Sequence, residues 1–352
     1  MPSRSLILGA NALARELMRQ MMSHPKCGHV VVGMISDEER ATVCDLRRLI
    51  RVYEPDEIIV ADPGRLGCLP IDPLVEVQMR KVVRVESAPE FYERLTGKLS
   101  LEALNAHAVL FTRQFHPGGV RQGLAHALSV LCAALGLAVC LPFMAVLALL
   151  IKLDSRGPVL FVQERCGRNG RTFKLLKFRT MRADLPAKSE WERDNGERIT
   201  RAGRWLRKYR LDELPQFLNV LRGDMNVVGP RPHPTTSRDL IALVARNMPE
   251  QGDPVPYYSL RLAVRPGMTG WAQIRYKYAN GLGEEVEKLR YDLYYIKHYS
   301  LLFDLRIVLE TIRVVLFGHR PEETVPTRRH ATPVDRNVAE ALETPLASLS
   351  RR

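Results

Sequence analysis

An apolar segment of 28 residues constrains this chain more than any other feature. Leu124 to Ile151 reads LAHALSVLCAALGLAVCLPFMAVLALLI and contains no Lys, Arg, Asp or Glu. About 20 apolar residues are enough for a helix to cross the hydrocarbon core of a bilayer. A helix of this length and composition is rare in the core of a water-soluble domain, so the sequence predicts a helix that contacts the membrane.

Two membrane arrangements fit this segment. A straight span would place the chain before it and the chain after it on opposite sides of the membrane. Arg113 and Arg121 precede the segment and Lys152 and Arg156 follow it, and positive flanks favour the cytoplasmic side at both ends. Pro142 removes a helix hydrogen bond late in the segment and favours a kink. We therefore expect a re-entrant helix-break-helix over residues 119–156, with its break at Pro142, in preference to a span.

The first 118 residues alternate between short apolar strands and helices. Strands are predicted at Ser5–Ala10, His29–Ser36, Glu57–Ala61 and Val82–Val85, and helices at Ala12–Ser23, Asp45–Val52, Pro73–Arg80 and Pro89–Leu95. This spacing predicts an α/β domain with an open parallel sheet of Rossmann type. The first turn, Gly9–Ala14, keeps only the first glycine of G-x-G-x-x-G. Dinucleotide binding is therefore disfavoured, and a structural or regulatory role is expected.

The excess positive charge is concentrated in the second half of the chain. The net charge is +13, from 52 Lys and Arg against 39 Asp and Glu, and residues 152–320 carry 31 of these cations against 19 acids. Such a surface suits phosphates, nucleic acid or an anionic membrane. The six cysteines are scattered, with no C-x-x-C pair, which is typical of reduced thiols in the cytosol and predicts no cysteine metal site.

The chain after the apolar segment is predicted to be mainly helical with one small β-hairpin. The strands are expected at Val159–Arg165 and Thr172–Arg179 around the turn Gly167–Gly170, and the helices at Thr200–Tyr209, from Asp212 to near Gly223, at Ser237–Ala245, Glu284–His298 and Leu301–Phe317. The last of these helices is apolar apart from one charged stripe, and could lie in the membrane interface or pack on the core. Residues 319–352 lack periodicity and are predicted to be disordered.

Adjacent carboxylates, Asp212 and Glu213, stand in the most basic stretch of the chain, RWLRKYRLDELPQFLNVLRGD. Pro215 is tolerated only in the first turn of a helix, so the pair is expected at or just before a helix N-terminus, where anions are favoured. The surrounding cations are expected to lower the pKa of both carboxylates and keep them ionised. Taken alone, the pair is more typical of an N-cap Asp beside an exposed Glu.

Further cations stand where a phosphate could be bound. Lys177 and Arg179 share one face of a predicted strand, because the strand period is two. Arg231 is held between prolines in VVGPRP, and a fixed guanidinium suits bidentate phosphate binding. Arg265 opens the glycine-rich loop RPGMTGWAQ. A solvated strand face and ordinary tight turns remain the alternatives for these positions.

Together these segments resemble the bacterial sugar transferase family, the monotopic polyprenyl-phosphate hexose-1-phosphate transferases. The resemblance covers about residues 120–318 and rests on the apolar hairpin followed in order by GPVLFVQERCGRNGRTFKLLKFRTM, LRKYRLDELPQFLNVLRGDM, VGPRP, VRPGMTGWAQ and DLYYIKHYS. The sheet before it resembles the Rossmann-like domain of larger members, and the chain is similar to members from exopolysaccharide clusters associated with exosortase systems.

Two departures from the family pattern stand out. Larger members begin with a bundle of transmembrane helices that has no counterpart in these residues, so a natural short form or a truncated start is expected. Small members often carry Ser-Pro at the hairpin break, where this chain has Leu141 and Pro142. The kink is therefore expected to remain, without a hydroxyl that could cap the freed carbonyls.

The resemblance implies a phosphoglycosyl transferase over residues 157–318. Such an enzyme transfers a sugar 1-phosphate from a UDP-sugar to undecaprenyl phosphate and releases UMP. Asp212 would be the nucleophile and form an acyl phosphate, Glu213 would bind Mg²⁺ or handle a proton, and Arg207 would bind phosphate. Lys177, Arg179, Arg231 and Arg265 would contact the diphosphate or the uridine.

The resemblance also implies a location at the bacterial inner membrane with both soluble domains on the cytoplasmic side. The transferred sugar and the oligomeric state stay open, although the N-terminal sheet could form a homodimer. A non-catalytic scaffold, or a membrane-tethered protein that binds anionic lipid or nucleic acid, is the alternative. Nucleic acid is not expected as a partner, since the cations are interleaved with Gly/Pro motifs and do not form a stripe.

Overall fold

The computed structural model describes residues 2–24, 27–36, 46–61, 71–80, 83–101, 103–104, 109, 115, 118–182, 193–235, 257–276 and 282–317. The chain divides into two units, Met1–Val109 and Leu110–Arg352. The predicted helix Ser237–Ala245 and the predicted disordered tail, residues 319–352, lie outside the described residues.

The first unit contains the predicted parallel sheet. Its elements are β1 (Ser3–Leu8), α1 (Ala12–Ser23), β2 (His29–Ile35), α2 (Leu46–Tyr53), β3 (Glu57–Val60), α3 (Ile71–Met79), β4 (Arg84–Ser87) and α4 (Ala88–Thr96). The four strands are all parallel and lie in the order β2-β1-β3-β4. The alternation of strands and helices therefore predicted both the elements and the parallel pairing.

Helices cover both faces of this sheet because successive strand residues point to opposite sides. Leu6, Leu8 and Ile58 pack against α2 and α3 on one face. Ile7 and Ile59 pack against α1 and α4 on the other. Such doubly covered sheets are typical of α/β domains.

Asn11 occupies the turn where a dinucleotide would approach. Its side-chain oxygen accepts a hydrogen bond from the Ala14 amide at 2.8 Å and caps α1, while its Nδ2 donates to the carbonyl of Ala61 at the end of β3. Gly9 has a φ of 109° and provides the preceding turn. The amide side chain thus fills the space that the second glycine of a G-x-G-x-x-G turn would leave open.

The second unit begins with a helix of 36 residues, α5 (Gly119–Asp154), that is long and apolar enough to cross a membrane. The other elements are β5 (Leu160–Cys166), β6 (Thr172–Phe178), α6 (Arg201–Lys208), α7 (Gln216–Leu221), β7 (Asn226–Val228), β8 (Gly267–Thr269), α8 (Trp271–Arg275), α9 (Leu282–Lys297) and α10 (Leu301–Phe317), with short 3-10 turns between them. β5 and β6 form the predicted antiparallel hairpin, and β7 pairs with β8 in parallel, which the sequence did not predict.

The structure assigns α5 as one continuous helix that includes Pro142. The predicted interruption is therefore not seen as a gap between two helices. Ala133, in the first half of α5, packs on Leu175 and Val220, and Leu147, nearer its end, packs on Phe178. The relation of α5 to the bilayer stays a prediction at this point.

α10 has one packed face and one exposed apolar face. Ile307 is buried, the ring of Phe303 lies against Trp271, and Thr311 is hydrogen-bonded to Thr269. The opposite face exposes large apolar side chains: Leu302, Leu305, Leu309, Ile312 and Leu316. Packing on the core is confirmed for the first face, and the predicted membrane contact remains open for the second.

Candidate active site

Asp212 and Glu213 lie on a single 3-10 turn, Leu211–Glu213, between α6 and α7. The turn begins after Arg210, which has a left-handed φ of 54°, and Pro215 occupies the N-cap of α7. The prediction that the pair lies just before a helix start is therefore confirmed. The pair is not an exposed cap, because Asp212 is buried at 8% exposure.

Two cations contact the Glu213 carboxylate. Lys177 Nζ lies 3.3 Å and Arg231 Nη2 3.0 Å from the same oxygen, Oε1. Lys177 comes from β6 and Arg231 from the loop after β7, so the carboxylate joins three segments that are distant in sequence. All three side chains are buried or half-buried, which reduces screening by solvent.

Arg207 and Arg210 complete the cationic surroundings of the dyad. The positive charge of Arg207, near the end of α6, acts on Asp212, and that of Arg210 acts on Glu213. Arg210 Nη1 and Arg231 Nη1 approach Gln273 Oε1, at 3.3 and 3.5 Å. Gln273 thereby holds both guanidinium groups toward the dyad from the α8 side.

The two carboxylates differ in their pKa. Burial raises the pKa of Asp212, and the adjacent charge of Glu213 raises it further, against the opposing effect of Lys177 and Arg207. Burial also works to raise the pKa of Glu213, but the charges of Arg231, Lys177 and Arg210 outweigh it and hold that pKa far below its usual range. The expectation of a lowered pKa is right for Glu213 and wrong for Asp212, because burial and the charge of Glu213 outweigh the nearby cations at Asp212.

Asn219 connects α7, the helix that follows the dyad, to the strand that carries Lys177. This side chain of α7 is fully buried, and its oxygen accepts a hydrogen bond from the Leu176 amide at 3.0 Å. Its Nδ2 donates to the Lys174 carbonyl at 2.8 Å and to Asp224 at 3.0 Å. Because Leu176 precedes Lys177, these bonds set the distance between Lys177 and Glu213.

Close backbone packing positions the Arg231 loop. The Gly229 amide donates to the Thr269 carbonyl and the Gly267 amide donates to the Pro230 carbonyl, both at 2.9 Å. A Cβ atom at Gly229 would lie 2.5 Å from the Arg265 carbonyl oxygen. The two glycine-rich motifs therefore need glycine to pack against each other, and this contact directs Arg231 to the dyad.

A buried polar network contacts the backbone of Arg231. Arg261 Nη2 donates to the Arg231 carbonyl at 3.1 Å and lies 2.8 Å from Asp292 Oδ2, in an ion pair whose side chains are 4% and 3% exposed. Arg261 Nη1 also lies 2.8 Å from His233 Nε2. Burial and the charge of Arg261 lower the pKa of His233 to about 4, so the imidazole is neutral at pH 7.

Arg179 and Arg265 do not reach the two carboxylates. Arg179 is buried and its Nη2 donates to the carbonyl and the hydroxyl of Ser155 at 2.6 and 2.9 Å, just after α5 ends. Arg265 Nε donates to the Gly223 carbonyl at 3.3 Å, beyond the far end of α7. Of the predicted phosphate ligands, the structure thus brings Lys177, Arg207 and Arg231 to the dyad, and it places Arg179 and Arg265 elsewhere.

The dyad could hold Mg²⁺ together with the oxygens of a bound diphosphate. No group of three or more His, Cys, Asp and Glu side chains suited to a metal is found among the described residues. Mg²⁺ in enzymes is usually held by one or two carboxylates together with substrate phosphates. Asp212 and Glu213 fit that donor set when a diphosphate is present.

Sequence reasoning missed several residues that shape the site. The sequence placed Gln273 in a glycine-rich loop and Arg210 in the basic stretch around the dyad, with no specific role for either. Arg261 and Asp292 were not connected, since 31 positions separate them in the chain. An available signal was Asp292 among the apolar and aromatic residues of YDLYYI in α9, since a buried carboxylate calls for a partner.

The fold and the site together define a protein with a membrane-length apolar helix and a carboxylate dyad in a pocket of cations. The sequence model of the bacterial sugar transferase family matches residues 120–318, more than half of the chain. The chain therefore belongs to the bacterial sugar transferase family.

Named relatives of known activity are similar to this chain. It is 37% identical over 227 residues to a UDP-N-acetylgalactosamine-undecaprenyl-phosphate N-acetylgalactosaminephosphotransferase of Aeromonas hydrophila, covering 64% of this chain and 51% of that one. UDP-glucose:undecaprenyl-phosphate glucose-1-phosphate transferases of Caulobacter vibrioides and Escherichia coli are 46% and 32% identical. These alignments cover 54% of this chain and 68% of the Caulobacter protein, and 87% of this chain and 66% of the Escherichia protein. The chain thus spans about half to two thirds of their lengths.

Proposed function

We propose that this protein transfers a sugar 1-phosphate from a UDP-sugar to undecaprenyl phosphate, as the first membrane step of exopolysaccharide synthesis. The observation that carries the proposal is the buried Asp212 beside Glu213, with Lys177, Arg207 and Arg231 around it. The activities printed in the relatives' names support it. A non-catalytic scaffold or a nucleic-acid binder would leave this buried pair without a role.

The transfer takes place in two displacements at one phosphorus atom. An Asp212 oxygen attacks the phosphorus that bears the sugar, the bond from that phosphorus to the bridging oxygen breaks, and UMP leaves with the electron pair. A phosphate oxygen of undecaprenyl phosphate then attacks the same phosphorus. The bond to Asp212 breaks, and the carboxylate is restored as the lipid diphosphate forms.

The cations of the pocket stabilise the charge that develops on the phosphoryl oxygens. Such preorganised positive groups are the main source of catalysis in phosphoryl transfer. Lys177 and Arg231 are held by Glu213 before a substrate arrives, so little reorganisation is needed. Mg²⁺, held by the dyad and the diphosphate, would neutralise further charge on the leaving group.

The state of Glu213 favours a charge-organising role over proton handling. Its pKa is held far below the usual range, mainly by Arg231 and Lys177 against the effect of burial, which makes it a weak base. A phosphate monoester is largely deprotonated at pH 7, since its second pKa is about 6. The attacking lipid phosphate therefore needs no base. Glu213 holds the cations Lys177 and Arg231 in place, and it would be a ligand of Mg²⁺ when the metal is bound.

The contacts of α5 support a re-entrant arrangement over a span. His126, near the start of α5, lies 2.9 Å from Asn226 of β7, and Asp154, at its end, accepts a hydrogen bond from the Ala202 amide of α6 at 3.0 Å. Both ends of the helix thus contact other elements of the second unit, and Val139, Leu141 and Phe143 are among the large apolar side chains that α5 exposes along its length. A span perpendicular to the bilayer would separate these ends by the hydrocarbon core, about 30 Å thick.

We infer that both units lie on the cytoplasmic side of the bacterial inner membrane and that the protein is monotopic. Membrane-impermeant maleimide labelling of single cysteines tests this arrangement. Gly118→Cys before α5, Arg156→Cys after it and Glu164→Cys on β5 are introduced into a chain whose native cysteines are replaced by serine. All three are expected to react in inside-out vesicles and to be protected in intact cells, with Glu164→Cys marking the side of the catalytic unit. Labelling of Gly118→Cys from outside the cell would overturn the re-entrant arrangement.

The covalent intermediate is tested without the lipid acceptor. Purified protein mixed with a UDP-sugar and Mg²⁺ is expected to release about one UMP per active site and then stop. Mass spectrometry should find a sugar phosphate on the peptide that contains Asp212. UMP release that requires undecaprenyl phosphate, with no labelled peptide, would show a direct transfer and contradict the two-step scheme. The identity of the sugar and the expected homodimer stay predictions.

A further inference from the structure

An apolar groove runs between the last third of α5 and α6 in the second unit. It has a volume of about 450 Å³ and is lined by Leu147, Leu150, Leu153, Asp154, Ala202, Trp205 and Leu206. This volume lies within the range of about 300–1,000 Å³ that is common for ligand clefts. We call this feature the α5–α6 groove.

The α5–α6 groove has a buried floor and an exposed apolar rim. Leu147 and Leu206 form the floor and are 1% and 2% exposed, whereas Trp205 at the rim is 48% exposed. Leu150 and Leu153 are also exposed. An open apolar surface of this kind indicates an apolar ligand or a membrane contact.

The floor of the groove belongs to a cluster that also contains the residues flanking the dyad. Leu206 packs in one cluster with Leu211 and Leu214, the residues on either side of the dyad. The next residue after Leu206 is Arg207, whose charge acts on Asp212. A ligand in the groove would therefore have its polar end within reach of the dyad cations.

The surroundings of the groove favour an anionic amphiphile. One wall is the membrane helix α5, and α6 carries Arg201, Arg204 and Lys208 as exposed cations. Trp205 and Tyr209 stack edge to face, with centroids 5.4 Å apart, and such aromatic residues are enriched at the membrane–water interface. Asp154 is the one acidic residue in the described lining, and its carboxylate is used by the Ala202 amide.

We propose that the α5–α6 groove binds the isoprenoid chain of the acceptor lipid and directs its phosphate past Arg207 to the phosphoryl group on Asp212. This proposal rests on the proposed function and specifies the acceptor side of the same site. The groove would let the enzyme hold its acceptor by the first isoprene units while the rest of the chain stays in the bilayer.

Substitutions in the groove test the proposal by separating the two half-reactions. Trp205→Ala and Leu150→Ser are expected to raise the KM for undecaprenyl phosphate about tenfold, since each removes an apolar contact that the bound isoprenoid chain would bury. The exchange of labelled UMP into UDP-sugar needs no lipid and should stay within twofold of wild type. Trp205→Phe should restore the KM, and Leu135→Ser, which changes an exposed leucine of α5 outside the groove, is the matched control.

Three outcomes of these measurements would contradict the proposal that the groove binds the isoprenoid chain. An unchanged KM in both groove variants would overturn the proposal. So would an equal rise in Leu135→Ser, which would indicate weaker membrane attachment only. Loss of UMP exchange in Trp205→Ala, Leu150→Ser and also Trp205→Phe would show that these side chains are needed for folding and not for lipid binding.

Photo-crosslinking tests the groove independently of catalysis. A polyprenyl phosphate with a diazirine on its first isoprene unit is expected to label the α6 peptide around Trp205, and undecaprenyl phosphate should compete. Equal competition by phosphatidylglycerol would make the groove a general lipid contact and overturn the proposal. Labelling by the polyprenyl probe in a wild-type protein without UMP exchange would support the groove while refuting the proposed function.

Discussion

Asp212→Asn is expected to lower sugar-phosphate transfer by about 10⁴- to 10⁶-fold, since removal of the nucleophile costs a covalent enzyme about 10⁶-fold in kcat. Asparagine has nearly the same shape, but its amide cannot form the acyl phosphate. Lys177 and Arg231 should still bind the UDP-sugar, because both contact Glu213. The measurement is UMP release in detergent with undecaprenyl phosphate, together with UDP-sugar binding by calorimetry.

The same substitution is expected to leave the thermal stability unchanged or raised. Burial raises the pKa of Asp212 above its usual value. A carboxyl group with a raised folded-state pKa costs stability once the pH exceeds its unfolded pKa, and the neutral amide removes that cost at pH 7. Glu164→Gln, an exposed carboxylate on β5, is the control and should change neither activity nor stability. Transfer within tenfold of wild type in Asp212→Asn would exclude Asp212 as the nucleophile.

Local patterns predicted the elements that flank the site. The bounds of α1 and α10 agree with the predicted Ala12–Ser23 and Leu301–Phe317, because each has strong helical periodicity between clear turn signals. The β5–β6 hairpin follows from its glycine-rich turn, in which Asn169 and Gly170 adopt positive φ. The position of the dyad just before α7 was predicted from Pro215, since proline is favoured only in the first turn of a helix.

The sequence could not predict which side chains from distant segments contact each other in the site. Lys177 and Arg179 were expected to share a strand face, yet β6 ends at Phe178, Lys177 contacts Glu213, and Arg179 donates to Ser155. Strand alternation determines the face of a side chain, whereas its partner depends on which helix packs there. The pKa of Asp212 was misjudged for the same reason, because burial is a property of the whole fold and not of the adjacent charges.

Buried ion pairs are the clearest case of this dependence on tertiary packing. Arg261 and Asp292 come from a 3-10 turn and from α9, and each would be costly to bury without the other. Their pairing ties the Arg231 carbonyl, through Arg261, to the helix that carries the family motif DLYYIKHYS. Stability and positioning of the dyad cations therefore depend on one contact.

Arg261→Met is expected to lower the free energy of unfolding by about 3–5 kcal/mol, since removal of one partner leaves a buried charge without its counterion. Asp292 already has a raised pKa from burial against the effect of Arg261, and loss of Arg261 should raise it further. A carboxyl with a raised folded pKa costs more stability as the pH rises above its unfolded value, so the destabilisation should be smaller at pH 5 than at pH 8.

The double variant Arg261→Met/Asp292→Leu separates a lost ion pair from lost packing. It removes both charges and should recover much of the stability, because apolar replacements of a buried pair are often close to neutral. Both variants are expected to have a raised KM for the UDP-sugar and lowered transfer activity, since Arg261 no longer donates to the Arg231 carbonyl. Thermal melts at pH 5 and pH 8 and steady-state kinetics provide the readouts. Equal stability of the single and double variants would show that Arg261 does not stabilise the fold through this ion pair. A wild-type KM in both variants would show that Arg261 does not position Arg231.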